Sequence, residues 1–212
     1  MFAPEELPNE HRELAGFIRG NGTTLNRRIG IYDLRRSGIG YLFATQDAVQ
    51  GVQAQRITEI LGQSGVRTFC CTSDMVSATA SGEISLAINV IGSYAMSLAA
   101  QDPRVGVHFL SDYNLVMARS AFIPEIAPNP VAAELFVRFL ISEDGQQVIA
   151  AQSQLIPILE VAKMDSWAFA QLGSQVGSFL PIRLGPGLLT YLDTLKKSNF
   201  LEGWDASVRG SH

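Results

Sequence analysis

The sequence predicts an α/β fold built on a mixed, mostly parallel sheet. Three observations carry this reading. In the first half, short apolar runs alternate with helical stretches, the order that builds parallel sheets. One run, Ile84-Ser85-Leu86-Ala87-Ile88-Asn89-Val90, is apolar nearly throughout, as a strand covered on both faces would be. From Asn129-Pro130 onward the pattern becomes mostly helical, with no complete sheet of its own.

The elements follow in order. Asn9 to Arg19 reads as a short helix capped by Asn9, with Leu14, Phe17 and Ile18 on one face. Gly20 to Thr24 is a loop, and Arg28 to Tyr32 a strand. Residues 39–63 give one or two helices interrupted near Gln50-Gly51, with Val52, Ile57, Ile60 and Leu61 as the apolar face. Val66 to Cys71 is a buried strand. Thr72 or Ser73 caps a helix over 73–80. After the run 84–90, Ala95 to Ala100 is a helix stopped by Asp102-Pro103. Val105 to Leu110 and Leu115 to Ala118 are further strands.

In the second half, Asn129 caps a helix with Pro130 at its first position, and Ala133, Phe136, Val137 and Leu140 form its buried stripe. Ser142-Glu143-Asp144 opens the next helix, with acids in the first turn. Gln154 to Leu159 is extended. Residues 165–172 and 187–198 are helices, the second opened by Gly185-Pro186-Gly187. Amphipathic helices of this kind need a surface to cover, from this chain, a preceding segment or a second copy.

Composition bounds the function. With 47% hydrophobic and 17% charged residues, the chain is not a disordered one. A net charge of −4 gives no electrostatic reason to expect nucleic acid or an anionic membrane as partner. No run of about 18 apolar residues suggests a membrane span. Met1-Phe2-Ala3-Pro4-Glu5-Glu6 has no basic region followed by an apolar one, so it does not read as a signal peptide. The adjacent Cys70 and Cys71 read as reduced thiols, one or both buried. Arg209 to His212 has the look of a partial tag and carries no fold argument.

The stretch Tyr32-Asp33-Leu34-Arg35-Arg36-Ser37-Gly38-Ile39-Gly40-Tyr41 joins a strand to a helix start. Unpaired N–H groups and the positive helix end suit an anion there. The turn is neither a phosphate-binding Gly-Lys-Ser/Thr loop nor a full dinucleotide fingerprint. A plain tight turn explains it as well, and Arg35 and Arg36 can equally be a solvated edge. Asn89, Ser93 and Tyr94 follow a strand end, where open α/β sheets meet ligands. The alternative is that Tyr94 is core with a satisfied hydroxyl. Thr72 and Ser73 end another strand in the same way. His11, His108 and His212 are scattered, so no metal site is expected, and no cofactor. No nucleophile elbow or Cys–His spacing is present, and Ser81-Gly82-Glu83 reads as a helix end.

The order of these stretches resembles the second half of bacterial extracellular solute-binding proteins of the ferric-iron, phosphonate and phosphoglycerate type. The resemblance rests on Arg28 to Tyr41, Val76 to Glu83, Ile88 to Tyr94, Ile123 to Pro130, Phe139 to Gln146, and Leu184 to Asp193 with Trp204. Each is modest, but their order spans residues 8–205. The phosphoglycerate-transport regulatory subgroup is the most similar. The resemblance implies a periplasmic-binding-protein-like fold of type II, with solute clamped between two lobes and no catalysis. Residues 1–27 would be a helix and hinge approach, 28–108 the α/β second lobe, 109–123 a crossover, and 124–212 the returning helices of an incomplete first lobe. The chain then reads as truncated, and the full-length protein as periplasmic.

The resemblance also assigns contacts. Ser37, Gly38 and Ile39, with Gly40 behind them, correspond to the family's anion-binding helix start. Thr72 or Ser73 corresponds to a polar contact after the second strand. The ferric-binding subgroup carries two adjacent tyrosines where this chain reads Val90-Ile91-Gly92-Ser93-Tyr94, with one. Ferric iron prefers several hard anionic oxygens, so a small phosphorylated or carboxylated solute is expected instead. Expected partners are an ABC permease or a membrane sensor kinase. The alternatives are a self-associating structural fragment, a ferric-ion binder, or an enzyme using Ser37.

Overall fold

In the computed structural model, residue 2 and residues 4–173 and 179–209 are described. Gly210 to His212 lie outside them. The chain divides into two units: one of residues 1–116 and 177–212, the other of residues 117–176.

The first unit is organised around β1 (Ile29–Tyr32), buried at every position. Its partners are β2 (Arg67–Phe69) and β3 (Leu86–Ala87), both parallel to it, in the order β2-β1-β3. Burial of Ile29 and Tyr32 and the neighbouring Ile84 and Met75 builds the core. Gly30 fits because a Cβ there would meet Ile84 Cδ1 at 2.6 Å.

Helices cover this sheet. α1 (His11–Gly20) and α2 (Gly22–Leu25) precede β1. The expected loop at 20–24 thus contains a helical turn. Glu10 rather than Asn9 is the N-cap of α1. The Asn9 N–H instead donates to the Glu13 carboxylate at 3.0 Å. α3 (Gly38–Val49) and α4 (Val52–Gln63) are separated at Gly51, whose φ of +118° suits glycine. Ile57, Ile60 and Leu61 are buried as expected, but Val52 is exposed at the helix start. α5 (Thr72–Ala80) follows β2, and α6 (Gly92–Ala99) follows β3.

Several expectations change. The run 84–90 contributes only Leu86 and Ala87 to the ladder, because Asn89 turns the chain at φ +59°. Residues 105–110 form no strand. There, His108 Nε2 pairs with the Pro8 carbonyl at 2.9 Å, and Ser111 N–H donates to the Asn9 carbonyl at 2.6 Å. Polar bonds to the distant N-terminal segment displace sheet pairing. Cys70 is half-buried and Cys71 exposed, so neither is a core thiol.

A second parallel pair is β4 (Asn114–Val116) with β5 (Phe179–Pro181), Leu115 opposite Leu180. β5 has no sequence signal, being three residues long and ending in proline.

The second unit is helical: α7 (Pro130–Ile141), α8 (Glu143–Gln152), α9 (Glu160–Lys163) and α10 (Trp167–Gly173). Asn129 caps α7 by accepting from Ala132 N–H at 3.0 Å, and Ser142 caps α8 by accepting from Gly145 N–H at 3.2 Å. The expected buried stripe of α7 is not buried. Ala133, Val137 and Leu140 are half-exposed, and Phe136 is 60% exposed. Burial concentrates instead on Gln146, which donates to the Leu140 carbonyl and accepts from Ile158 N–H, both at 2.6 Å. Gly145 allows the close turn, since a Cβ would lie 1.9 Å from the Phe139 carbonyl oxygen. Residues 154–159 bend at 154–155 and 158–159, with Leu159 itself extended.

The first unit closes with α11 (Pro186–Leu189), a 3-10 turn at Thr190–Leu192, and α12 (Thr194–Arg209). The expected single helix over 187–198 is therefore broken, with Asp193 extended between its parts. Leu201, Trp204 and Val208 bury one side of α12. It comes close to α4 at Gly62, where a Cβ would meet the Ser207 carbonyl oxygen at 1.9 Å.

Candidate ligand-binding site

Three parallel strands release the chain at one edge of the sheet, and the N-termini of α3, α5 and α6 begin there. The first junction is fixed by Asp33, which is buried. Its carbonyl accepts from Arg36 N–H at 3.1 Å and Ser37 N–H at 2.8 Å, and its Oδ1 accepts from Arg35 N–H at 3.0 Å. These bonds curl the chain into the start of α3. Ser37, buried, caps that helix by accepting from Gly40 N–H at 3.2 Å. Gly38 is exposed and Ile39 half-buried, and their N–H groups find no acceptor among the described residues. The result is a pair of orphan donors at the positive end of a helix. Gly40 serves packing: a Cβ there would lie 2.2 Å from Tyr32 Cβ.

Tyr32 ties the three junctions together. Its hydroxyl lies 2.6 Å from Thr72 Oγ1. Burial pushes the Tyr32 phenol up, opposed by hydrogen bonds from Thr72 and the Ile91 backbone. Thr72 is thereby the buried first residue of α5 and not its side-chain cap; Cys71 takes the N-cap position without a side-chain bond. Ser73 is exposed, with Oγ 3.4 Å from Asp74 Oδ1.

At the third junction, Ser93 is half-buried in the first turn of α6. Tyr94 is 48% exposed and its hydroxyl has no partner among the described residues, so it is not a satisfied core tyrosine. Asn89 is engaged elsewhere: its Nδ2 donates to Asp47 of α3. Tyr113 Oη donates to the other Asp47 oxygen at 3.1 Å. The Tyr113 ring stacks on His11 at 3.9 Å, and His11 Nδ1 lies 2.9 Å from Asp112 Oδ1. Burial pushes the Asp47 carboxyl up, against the hydrogen bonds from Asn89 and Tyr113. Burial and the Asp47 charge push the Tyr113 phenol up as well. Desolvation would raise the Asp112 carboxyl too, but hydrogen bonds from His11 outweigh it and leave it below its usual range. This network holds the β3–α6 junction on α3. Sequence reading missed it because its members are far apart along the chain and share no motif.

The arginines divide. Arg35 Nε donates to Asp205 of α12 at 2.6 Å, and Arg209 reaches Asp33 at 3.3 Å, so both brace the turn. Arg36 is exposed and makes no ion pair among the described residues. Among those residues, no histidine or carboxylate bonds to Ser37 Oγ. The site thus brings Ser37, Gly38 and Ile39 to the same sheet edge as Ser73, Ser93 and Tyr94. Asn89 and Gly40 act in support.

A parallel β-core with helix N-termini gathered at its C-terminal edge is the architecture of a ligand-holding α/β lobe. A family model for bacterial extracellular solute-binding protein matches residues 38–171. The chain belongs to that family. It is similar to the substrate-binding protein of an ABC transporter from Agrobacterium tumefaciens, at 30% identity and a TM-score of 0.83. The fold is accordingly periplasmic-binding-protein-like. The match covers 95% of this chain and 60% of the Agrobacterium chain. No curated protein sequence matches. Among the described residues, no helix is long and apolar enough to cross a membrane.

Proposed function

We propose that this chain supplies the anion-holding lobe of a non-catalytic receptor for a small phosphorylated or carboxylated solute. The observation that carries this reading is the start of α3, where the N–H groups of Gly38 and Ile39 have no acceptor among the described residues, beside the Ser37 hydroxyl. Two orphan donors and a helix dipole select a compact oxyanion. The exposed Tyr94 hydroxyl and Ser93 supply further donors from α6. A single tyrosine at that junction is a poor ferric-ion set, and a phosphoglycerate-like solute fits the donors better.

In the whole protein, residues 28–108 act as the second lobe, with α12 packed on it through α4, and residues 124–173 as returning helices of the first. The location is the periplasm. The receptor delivers its solute to an ABC permease or reports it to a membrane sensor kinase. The Agrobacterium relative's association with an ABC transporter supports the transport role.

The test is thermal melting of the chain with inorganic phosphate, a phosphonate and phosphoglycerate. A ligand at about 100 times its Kd raises stability by about 2.7 kcal/mol. The expected result is a saturable rise with at least one anion, lost in Ser37→Ala. No anion-dependent rise would remove the role from this chain. A second reading, self-association, is favoured by the exposed Leu135, Phe136 and Phe139 of α7. Sedimentation showing a concentration-dependent mass without any anion response would favour it.

A further inference from the structure

The cysteine pair at the end of β2 has no part in the anion site, yet it lies on the same sheet edge. Cys70 follows the strand, Cys71 is the residue entering α5, and Asp74 lies in the first turn of that helix. Cys70 Sγ donates to Asp74 Oδ2 at 3.4 Å. Both sulfurs and a carboxylate oxygen of Asp74 lie within 4.8 Å of one another. Cys71 and Asp74 are exposed and Cys70 is half-buried, so all three can turn toward a common centre. Asp74 makes no ion pair among the described residues, so no lysine or arginine neutralises the group.

The spacing suits a metal. A tetrahedral zinc, with Zn–S near 2.3 Å and Zn–O near 2.0–2.2 Å, holds its ligand atoms roughly 3.4–3.8 Å apart. Closing the trio from 4.8 Å or less takes movements of about 1.4 Å or less, within reach of side-chain rotation. Two thiolates and one carboxylate favour a d10 cation over magnesium or calcium, which prefer all-oxygen sets. We propose that Cys70, Cys71 and Asp74 form an open three-ligand site for a thiophilic divalent cation such as Zn²⁺. Each thiol releases its proton to solvent as its metal–sulfur bond forms. The fourth position faces solvent and takes water or an oxygen of a bound solute.

The experiment titrates the reduced chain with Cd²⁺ and follows the sulfur-to-cadmium charge-transfer band in the ultraviolet. A band saturating at one equivalent is expected. Cys70→Ser and Cys71→Ser each lower the band by about half and weaken binding, the double Cys70→Ser/Cys71→Ser variant abolishes it, and Asp74→Asn keeps the full band with affinity weakened more than about tenfold. Ser37→Ala leaves the band unchanged, which separates this site from the anion site. Circular dichroism of each variant, expected to match wild type, excludes unfolding as the cause of a lost band. No saturable band on the reduced chain, or an unchanged affinity in Asp74→Asn, would overturn the proposal.

Discussion

At the scale of single residues, the turn from β1 to α3 separates two jobs that its sequence runs together. Ser37 caps α3 at the ligand edge, while Gly40 gives that cap its N–H and lacks a side chain to make room for Tyr32. Ser37→Ala is expected to lower unfolding stability by about 1 kcal/mol, and Ser37→Gly by only a few tenths, measured in urea. Gly40→Ala must displace Tyr32 from 2.2 Å and is expected to cost about 1–3 kcal/mol in the same assay. Asp47 predicts a pH effect of definite sign. Its folded value is raised above the ordinary 3.8 by burial. A raised carboxyl favours the folded state fully below that ordinary value, and the benefit is lost as pH rises through the folded value. The melting temperature of Asp47→Asn relative to wild type is therefore expected to be higher at about pH 7 than at about pH 4. A gap that shrinks with rising pH would contradict this.

At the scale of elements, α7 separates local encoding from packing. Its start is written in the sequence, because Asn129 and Pro130 meet the needs of a first turn directly. Its apolar stripe is equally plain in the sequence, yet Phe136 remains 60% exposed. Asn129→Ala is expected to cost about 1 kcal/mol. Phe136→Ser is expected to change stability by less than about 0.5 kcal/mol, as an exposed substitution does. Chemical denaturation of the two variants side by side checks the contrast. The α4–α12 contact shows the opposite case. Gly62 looks like a helix stop, and it does lie near the end of α4, but the approach of Ser207 is what demands the missing side chain.

At the scale of the whole molecule, the proposed anion donors all belong to the first unit, on α3, α5 and α6. Hydrogen exchange read by mass spectrometry makes this testable. Phosphate is expected to slow exchange at the starts of α3, α5 and α6 and to leave α7 to α10 unchanged, because local opening is suppressed where the ligand binds. Uniform protection across both units would speak against a site confined to those junctions.

Much of the fold was legible because its signals are local. The α/β alternation, the break at Gly51, the helix starts at Ser37 and Ser142, the cap at Asn129, and the sheet-edge position of residues 37–39 each depend on a few neighbouring residues. These features follow from backbone preference and helix-end hydrogen bonding. Tertiary structure decided what depends on partners distant along the chain. It withdrew residues 105–110 from the sheet in favour of Pro8 and Asn9, and paired β4 with a three-residue β5. It turned Thr72 toward Tyr32 and committed both Asn89 and Tyr113 to Asp47. A side chain's partner is selected by which surfaces meet and what each can still satisfy, and no window of sequence contains both.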